Sequence, residues 1–465
     1  MSMTKVALLS FAEHREDFYQ KRKPLVEKYT RLVEGALSRE AQIITFKPIR
    51  SLEKVRETAQ AVRAAHCECA IFYFPIWVTP SFGVVEANLL QLPVLLLANS
   101  EIETSSLPGM LGTAAGLDQI GIPHQRVCGD IDDHRVLDEI RTFISASHVI
   151  RSLRGIRYGM FGGRSLGIYS TVIDPSQWQK LFGIDVEQID QLEIVREAER
   201  IPEKEVEYFE KWLLDGGLTT AYNDTLFTRN HFRKQIRSYL ATKKLVHDLK
   251  LAFVSIKCQQ EMSDGYCLQC LNIALLNDGY DAEGTKAPIP CACEADGDGA
   301  LTMMVLNILS GHEPTTLMDV RAAFPEEGIL LLNNCGGMAT YFAARSRDPK
   351  DNLKKVKMVP HVFGKAGGGA TQYVCGPGPL TLARFCRKDG RYRLVICSGE
   401  VIEGREELIA RSTTCFPHAV VQTGMDIGKF IKTYDSNHIH AVTGDYRKEL
   451  LEYCRIAGIE ADVHS

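Results

Sequence analysis

The spacing of apolar residues predicts alternating strands and helices in the first third of the chain. Short apolar runs of strand length are separated by longer amphipathic segments whose apolar residues recur at helical spacing. Such alternation produces a mostly parallel sheet with helices on both faces. We therefore expect a doubly wound α/β domain at residues 1–150. Its predicted strands are at 6–10, 41–46, 69–74 and 94–97, and its predicted helices are at 23–38 and 52–65.

The same alternation resumes at a second predicted domain, residues 151–312. A strand at 157–161 runs into Gly162-Gly-Arg-Ser-Leu-Gly167, which lacks the G-x-G-x-x-G order of a dinucleotide site and more simply makes a tight turn. A helix is predicted at 266–277 and a buried strand at 289–293. We expect a second doubly wound parallel sheet here.

A third pattern begins near residue 313. Short apolar runs now alternate with Gly, Pro and Asn, and this is typical of antiparallel strands joined by turns. We predict a mostly antiparallel, β-barrel-like C-terminal domain at residues 313–465, with a last helix at 446–457. The predicted fold class is thus α/β, with two doubly wound parallel-sheet domains followed by this barrel-like domain.

Composition and charge exclude several classes of protein. A chain of 465 residues is too long for one core. The net charge of −4 argues against a nucleic-acid partner, and no apolar run is long enough to span a bilayer. The first residues predict a strand and loop rather than a signal peptide. We therefore expect a cytoplasmic protein whose 14 cysteines are reduced thiols.

The candidate chemistry is concentrated after the predicted strand at 289–293. Glu294 lies just past the carboxyl end of that strand, the edge at which open α/β sheets bind ligands. Asp298 is placed to cap the following helix. The acids of this stretch could also serve only in caps and turns, and both interpretations remain open from the residues alone.

Several metal motifs fail on inspection. The Cys267/Cys270 and Cys291/Cys293 pairs fall in a predicted helix and strand, where buried packing suits them better than zinc binding. An EF-hand starting at Glu294 would place Val305 at its twelfth position, which cannot supply a carboxylate. The glycines at 364–370 do not have the order of a phosphate-binding loop.

A pair of histidines could supply an imidazole ligand to a metal beside the carboxylates. His438 and His440 share one face if this segment is a strand. Two carboxylates with a neutral imidazole suit Mn²⁺ or Mg²⁺ better than Zn²⁺. A histidine pair can equally be structural, and the metal hypothesis requires Glu294 and a second acid to meet it in space.

Taken together, these residues resemble the L-fucose isomerase family, within the L-fucose/L-arabinose isomerase superfamily. Cys293-Glu-Ala-Asp-Gly-Asp-Gly-Ala-Leu-Thr-Met303 resembles the family's metal-site segment, and Met318-Asp-Val-Arg321 resembles the segment of its second acidic ligand. The resemblance is good over roughly residues 150–465 and weak before that. Further resembling segments lie at 157–164, 256–259, 376–384, 437–438 and 444–446.

The resemblance implies a metal-dependent aldose–ketose isomerase that acts through a cis-enediol. Glu294, Asp319 and His438 match the family's metal ligands, and the two carboxylates match its acid/base pair. The implied cofactor is Mn²⁺, with Mg²⁺ or Co²⁺ as substitutes. These are expectations from the resemblance, not from spacing or composition.

The resemblance also implies a homo-oligomer whose active site lies between subunits. Arg15, Trp77, Gln259 and Asn437 are the expected substrate-binding residues. The expected substrate is a free hexose or 6-deoxyhexose. One alternative is a hexose with an anionic group at C6, such as sulfoquinovose isomerised to sulfofructose, and another is a non-catalytic sugar-binding regulator.

Overall fold

The computed structural model describes residues 3–464, which form two compact units. The first unit extends to Ser152 and also includes Lys448–Ile459, and the second comprises Leu153–Arg447 and the chain from Glu460 onward. The predicted division of the second unit at residue 312 stays a prediction. None of the helices in the described chain is long and apolar enough to cross a membrane.

The first unit is built on a five-stranded parallel sheet in the order β2-β1-β3-β4-β5. Helices cover both faces, as the alternating pattern predicts, and the apolar strands β1, β3 and β4 form the centre of the core. The elements of this region are β1 (Lys5–Ser10), α1 (Glu16–Leu37), β2 (Gln42–Thr45), α2 (Leu52–Ala64), β3 (Cys69–Phe74), α3 (Pro80–Leu90), β4 (Val94–Ala98), α4 (Ser106–Gln119), β5 (His124–Cys128) and α5 (His134–Leu153).

A second parallel sheet, in the order β12-β9-β6-β7, lies in the second unit. Its edge strand β12 leads directly to Glu294. The elements of this region are β6 (Arg157–Phe161), α6 (Pro175–Leu181), β7 (Asp185–Ile189), α7 (Leu192–Arg200), α8 (Glu203–Asp215), β8 (Thr219–Thr220), α9 (Arg229–Asp248), β9 (Phe253–Ile256), α10 (Glu261–Gly265), α11 (Cys270–Asn277), β10 (Tyr280–Asp281), β11 (Gly284–Thr285), β12 (Cys291–Cys293) and α12 (Gly297–Leu309).

Six further strands of the second unit form a closed antiparallel barrel, and β8, β15 and β16 form a separate three-stranded sheet. Six strands follow the order β17-β20-β13-β14-β19-β18, pairing of β17 with β18 closes the ring, and β21 adds in parallel to β18. The elements are β13 (Thr315–Phe324), β14 (Ile329–Asn333), α13 (Pro349–Leu353), β15 (Lys357–Pro360), β16 (Gly369–Gln372), β17 (Gly378–Lys388), β18 (Arg391–Val401), α14 (Glu406–Ala410), β19 (His418–Gln422), α15 (Ile427–Thr433), β20 (His438–Thr443), α16 (Arg447–Ala457) and β21 (Glu460–His464).

The predicted fold class is confirmed, with two local corrections. The helix predicted at 266–277 begins only at Cys270, because the chain leaves α10 at Gly265 and turns before it becomes helical again. The last helix, α16, packs within the first unit. Lys448 Nζ is 2.6 Å from Asp138 Oδ2, and Arg455 donates a hydrogen bond to the carbonyl of His124 at 2.7 Å.

One buried carboxyl in the first unit has no polar contact. The Glu86 side chain, on α3, is fully buried, and neither of its oxygens has a hydrogen-bond partner within the described chain. Burial raises the pKa of Glu86 to about 8, and Arg63 opposes that rise only weakly. Glu86 is therefore held protonated at neutral pH, because an unpaired buried charge is too costly.

We expect the first unit to lose stability as the pH rises toward 8. The folded state holds a proton on Glu86 that the unfolded state releases above its ordinary pKa, so the stabilisation is complete below about pH 4.5 and is lost as pH rises through about 8. Glu86→Gln should reduce the difference in unfolding free energy between pH 5.5 and 8.5 by roughly 3 kcal/mol. Thermal and denaturant unfolding at both pH values will measure it. The exposed Glu53→Gln is the control, and an unchanged pH slope in E86Q would contradict the assignment.

Candidate functional site

Glu294 lies on a sharp turn at the carboxyl edge of the second parallel sheet. Glu294 and Ala295 have φ values of 59° and 50°, the left-handed region that non-glycine residues rarely adopt. The turn is fixed by the Ala295 amide, which donates to the carbonyl of Ile256 on the neighbouring strand β9 at 3.1 Å. Backbone of this kind costs about 1–3 kcal/mol per residue and is concentrated at functional sites. After this turn the Glu294 carboxylate lies 3.2 Å from His438 Nε2.

Asp319 and His438 are brought together by the register of the barrel. They are direct partners in the antiparallel pair of β13 and β20, so both side chains lie on one face. His438 Nε2 is 3.5 Å from Asp319 Oδ1 and 3.2 Å from Glu294 Oε2. The three residues predicted as metal ligands therefore meet at one imidazole nitrogen.

The other imidazole nitrogen is held by Asp296. His438 Nδ1 is 2.7 Å from Asp296 Oδ2, and because a carboxylate can only accept, Nδ1 carries the proton. Asp296 Oδ1 accepts from the Gly299 amide at 2.9 Å and so caps α12. The prediction that Asp298 caps this helix was wrong, because the helix starts at Gly297, two residues earlier than an Asp298 cap requires.

A buried arginine stabilises the ionised form of Asp296. The Arg384 guanidinium, on β17, is fully buried and bonds the same Oδ2 that His438 contacts. Burial alone would raise the pKa of Asp296, but Arg384 and His438 lower it far below its usual range. Asp296 is thus an anion that fixes the tautomer and orientation of the His438 ring.

With Nδ1 protonated, Nε2 of His438 directs either a lone pair or a second proton at two carboxylates. Neither Nε2 nor Glu294 Oε2 has a hydrogen-bond partner among residues 3–464, although both atoms are buried. Burial alone would lower the pKa of His438, but the contacts with Asp296 and Glu294 raise it to about 10. The pKa of Asp319 is raised to about 6 by burial and by the charge of Glu294, against the effect of His438. The neighbouring carboxylates therefore favour the charged form of the His438 imidazole.

A divalent cation fits this donor set. Two carboxylates and a neutral imidazole are ligands that Mn²⁺ and Mg²⁺ accept, and the carboxylate-bound Nδ1 is a common support for a metal-binding histidine. As the atoms stand, no group of three His, Cys, Asp or Glu side chains in the described part of the chain is arranged around a metal-sized space. His438 Nε2 instead lies 3.2 Å from Glu294 Oε2 and 3.5 Å from Asp319 Oδ1, and these three residues are the ones that would hold a cation.

Asp298 supports the site from the first turn of α12. Its buried carboxylate lies 2.8 Å from Arg387 Nε and accepts from the Tyr392 hydroxyl at 2.7 Å. The Tyr392 hydroxyl in turn accepts from the Trp178 indole at 2.7 Å. Burial raises the pKa of Asp298 to about 6, although Arg387 opposes the rise. This network ties the start of α12 to β17 and β18.

Two of the predicted substrate-binding residues lie at the same edge of the second unit. Asn437 precedes His438 and is exposed, and its side-chain amide is 3.5 Å from Asp319 Oδ1. Gln259 follows β9, the strand beside β12, and its carbonyl accepts from the Ser165 hydroxyl at 3.0 Å. Their roles in substrate binding stay predictions.

The other two, Arg15 and Trp77, belong to the first unit. They lie on the loops after β1 and β3, neighbouring strands of the sheet, and His14 Nδ1 contacts Thr79 Oγ1 at 3.0 Å between these loops. Trp77 is 38% exposed, and Arg15 pairs with Glu13 at 3.0 Å. The carboxyl edge of a doubly wound sheet is a common ligand site, so an aromatic ring and a guanidinium are available there.

Sequence reasoning missed the roles of Asp296 and Arg384. Asp296 was interpreted only as part of an acidic turn. The available signal was Arg384 itself, which interrupts an apolar strand between Ala383 and Phe385. An arginine inside a buried strand needs a carboxylate partner, although the sequence alone does not identify which carboxylate.

Two family models match the chain. One, L-fucose isomerase, C-terminal domain, matches residues 332–464, and the other, L-fucose isomerase, first N-terminal domain, matches residues 9–155. Together they cover more than half of the chain. The chain belongs to the L-fucose isomerase family. The predicted resemblance is confirmed, and the protein is an isomerase of sugars.

Proteins named sulfoquinovose isomerase and proteins named L-fucose isomerase are similar to this chain. The sulfoquinovose isomerase of Clostridium sp. (strain MSTE9) is 24% identical and aligns with 79% of this chain and 78% of its own. The sulfoquinovose isomerase of Alkalicoccus urumqiensis is 22% identical over 76% and 75% of the two chains. The L-fucose isomerase of Shigella dysenteriae serotype 1 (strain Sd197) is 25% identical, over 55% of this chain and 51% of its own.

We expect Asp296→Asn to destabilise the second unit strongly. Asparagine keeps the helix cap but removes the negative charge paired with the buried Arg384, and breaking such a pair costs roughly 3–5 kcal/mol. Unfolding followed by tryptophan fluorescence will measure this, since Trp178 and Trp212 both lie in the second unit.

The matched control for D296N is Asp298→Asn. Its partner Arg387 is 21% exposed and can reach water, so the loss of stability should be clearly smaller. Equal losses of unfolding free energy in the two variants would show that the Asp296–Arg384 pair stabilises the unit no more than the Asp298–Arg387 pair does.

Proposed function

We propose that this protein is a divalent-metal-dependent aldose–ketose isomerase that acts through a cis-enediol. The observation that supports it best is the imidazole of His438. Asp296 occupies Nδ1, and Nε2 faces the carboxylates of Glu294 and Asp319 at 3.2 and 3.5 Å. Glu294, Asp319 and His438 would hold the cation, for which we propose Mn²⁺, with Mg²⁺ or Co²⁺ as substitutes.

In the proposed reaction two protons move across the C1–C2 bond of the open-chain sugar. One carboxylate takes the proton from C2 and returns it to C1, and the other moves a proton between O2 and O1. A bound divalent cation supplies stabilisation of the negative charge that develops on these oxygens. Glu294 follows β12 of the parallel sheet and Asp319 lies on β13 of the barrel, so we expect the two carboxylates to approach the sugar from different directions.

The raised pKa of Asp319 suits a group that both takes and releases a proton. Burial places its pKa at about 6, close to neutral pH, where general acid–base catalysis is most effective. Asp319 remains one-third exposed, so the substrate can reach it, whereas Glu294 is only 12% exposed. The raised pKa and the partial exposure of Asp319 support a role in proton transfer better than a purely structural role.

For the sugar, we put a hexose with an anionic C6 group, such as sulfoquinovose, first. Relatives named for that substrate align with about three-quarters of this chain, whereas the L-fucose isomerase aligns with 55%. A neutral hexose or 6-deoxyhexose is the second candidate. The non-catalytic alternative is not kept, because the relatives that align with about three-quarters of this chain are named isomerases.

We expect Glu294→Gln to abolish isomerase activity without unfolding the protein. The amide keeps the size of the side chain but neither binds a cation strongly nor carries a proton, so kcat should fall by at least about 10²-fold. Activity, metal content and the thermal unfolding midpoint should be measured together. Glu313→Gln, on an ion pair with the exposed Arg347, is the control. A fully active E294Q would refute the assignment.

A substrate panel should separate the two classes of sugar. Purified protein loaded with Mn²⁺ is assayed with sulfoquinovose, L-fucose and a neutral aldohexose, before and after chelation. We expect the highest kcat/KM with sulfoquinovose, loss of all activity with chelator, and recovery on adding Mn²⁺. A preference for L-fucose would favour the second candidate, and activity that resists exhaustive chelation would overturn the metal.

A further inference from the structure

Two cysteine thiols lie beside the Glu294 turn, and the proposed reaction does not use them. Cys293 ends β12 and directly precedes Glu294, while Cys335 follows β14 of the barrel. Their sulfur atoms are 3.5 Å apart. A disulfide bond has an S–S length of about 2.05 Å, so the two atoms need to approach by only about 1.5 Å.

The main chain on both sides of this pair is anchored. The carbonyl of Cys335 accepts from His361 Nε2 at 2.7 Å and from the Cys270 thiol at 3.3 Å. The carbonyl of Cys293 accepts from the Asp296 amide at 3.1 Å. Cys335 is partly exposed whereas Cys293 is 3% exposed, so a dissolved oxidant reaches Cys335 first.

We propose that Cys293 and Cys335 are a reversible disulfide pair, oxidised by hydroperoxides, which controls the position of Glu294. The Cys335 thiolate attacks one peroxide oxygen, so an S–O bond forms, the O–O bond breaks and hydroxide leaves. The Cys293 thiolate then attacks the Cys335 sulfur, so the S–S bond forms and the S–O bond breaks. Two thiols lose two electrons, and hydrogen peroxide gains them and becomes two molecules of water.

The disulfide would act on the site because Cys293 and Glu294 are adjacent. Drawing the Cys293 sulfur toward β14 pulls on a turn that already holds two residues at positive φ. A misplacement of about 1 Å at a reacting group can cost on the order of 10²-fold in rate. The effect on catalysis rests on the proposed function, whereas formation of the disulfide does not.

The first test maps the disulfide on the unmodified protein. The full-length protein is treated with hydrogen peroxide, remaining free thiols are alkylated, and peptides are identified by mass spectrometry with and without dithiothreitol. We expect a linked pair of peptides that contain Cys293 and Cys335, lost on reduction. Recovery of both cysteines in alkylated form after oxidation, or a link to another cysteine, would overturn the proposal even if no substrate has been found.

The second test measures the consequence for activity. We expect peroxide to lower isomerase activity at least tenfold and dithiothreitol to restore it, and we expect Cys335→Ser to resist this loss. Cys128→Ser, which removes an exposed thiol of the first unit, should not protect. Cys335→Ala repeats the test if the serine variant is unstable. A mapped disulfide without loss of activity, or equal inactivation of both Cys335 variants, would overturn the control of Glu294.

Discussion

The second unit depends on the hydrogen bonds and ion pair made by the buried carboxylate of Asp296. Its Oδ1 caps α12 through the Gly299 amide, and its Oδ2 is shared by the Arg384 guanidinium and His438 Nδ1. No part of this carboxylate is left for water, and a buried anion with this many donors is stable only while all of them are present. The cap of α12 and the orientation of the imidazole therefore depend on the same carboxylate.

Helix α12 is the element that joins the two sheets of the second unit. It begins at the Asp296 cap, packs against β13, β17 and β20 of the barrel, and also contacts β9 and β12 of the parallel sheet. Its sequence is mostly apolar, and it is buried almost throughout, as expected for a helix between two layers. Because α12 fixes β12 relative to β20, Glu294 and His438 meet although they come from different sheets.

The layers of this fold follow from apolar spacing, but the site does not. Alternating runs are enough to predict parallel sheets and then antiparallel strands, because each period buries one face. The pairing of Asp319 with His438 depends on strand register, which no local pattern encodes. The resemblance supplied Glu294, Asp319 and His438 together, and the structure brings them together, while their roles stay predictions.

Asp296 and Arg384 show where sequence reasoning stops. In sequence, an aspartate that orients a metal-binding histidine looks the same as an aspartate that caps a helix. Asp296 contacts His438 and also caps α12. Only burial separates the two roles, since Arg384 is fully buried and so must be paired.

The charges of the buried side chains around His438 do not balance. Glu294, Asp319, Asp296 and Arg384 leave a deficit of two positive charges, of which a proton on His438 supplies only one. A divalent cation would supply both, and the same carboxylates raise the pKa of His438, whereas the raised pKa of Asp319 comes from burial first and from the charge of Glu294 second.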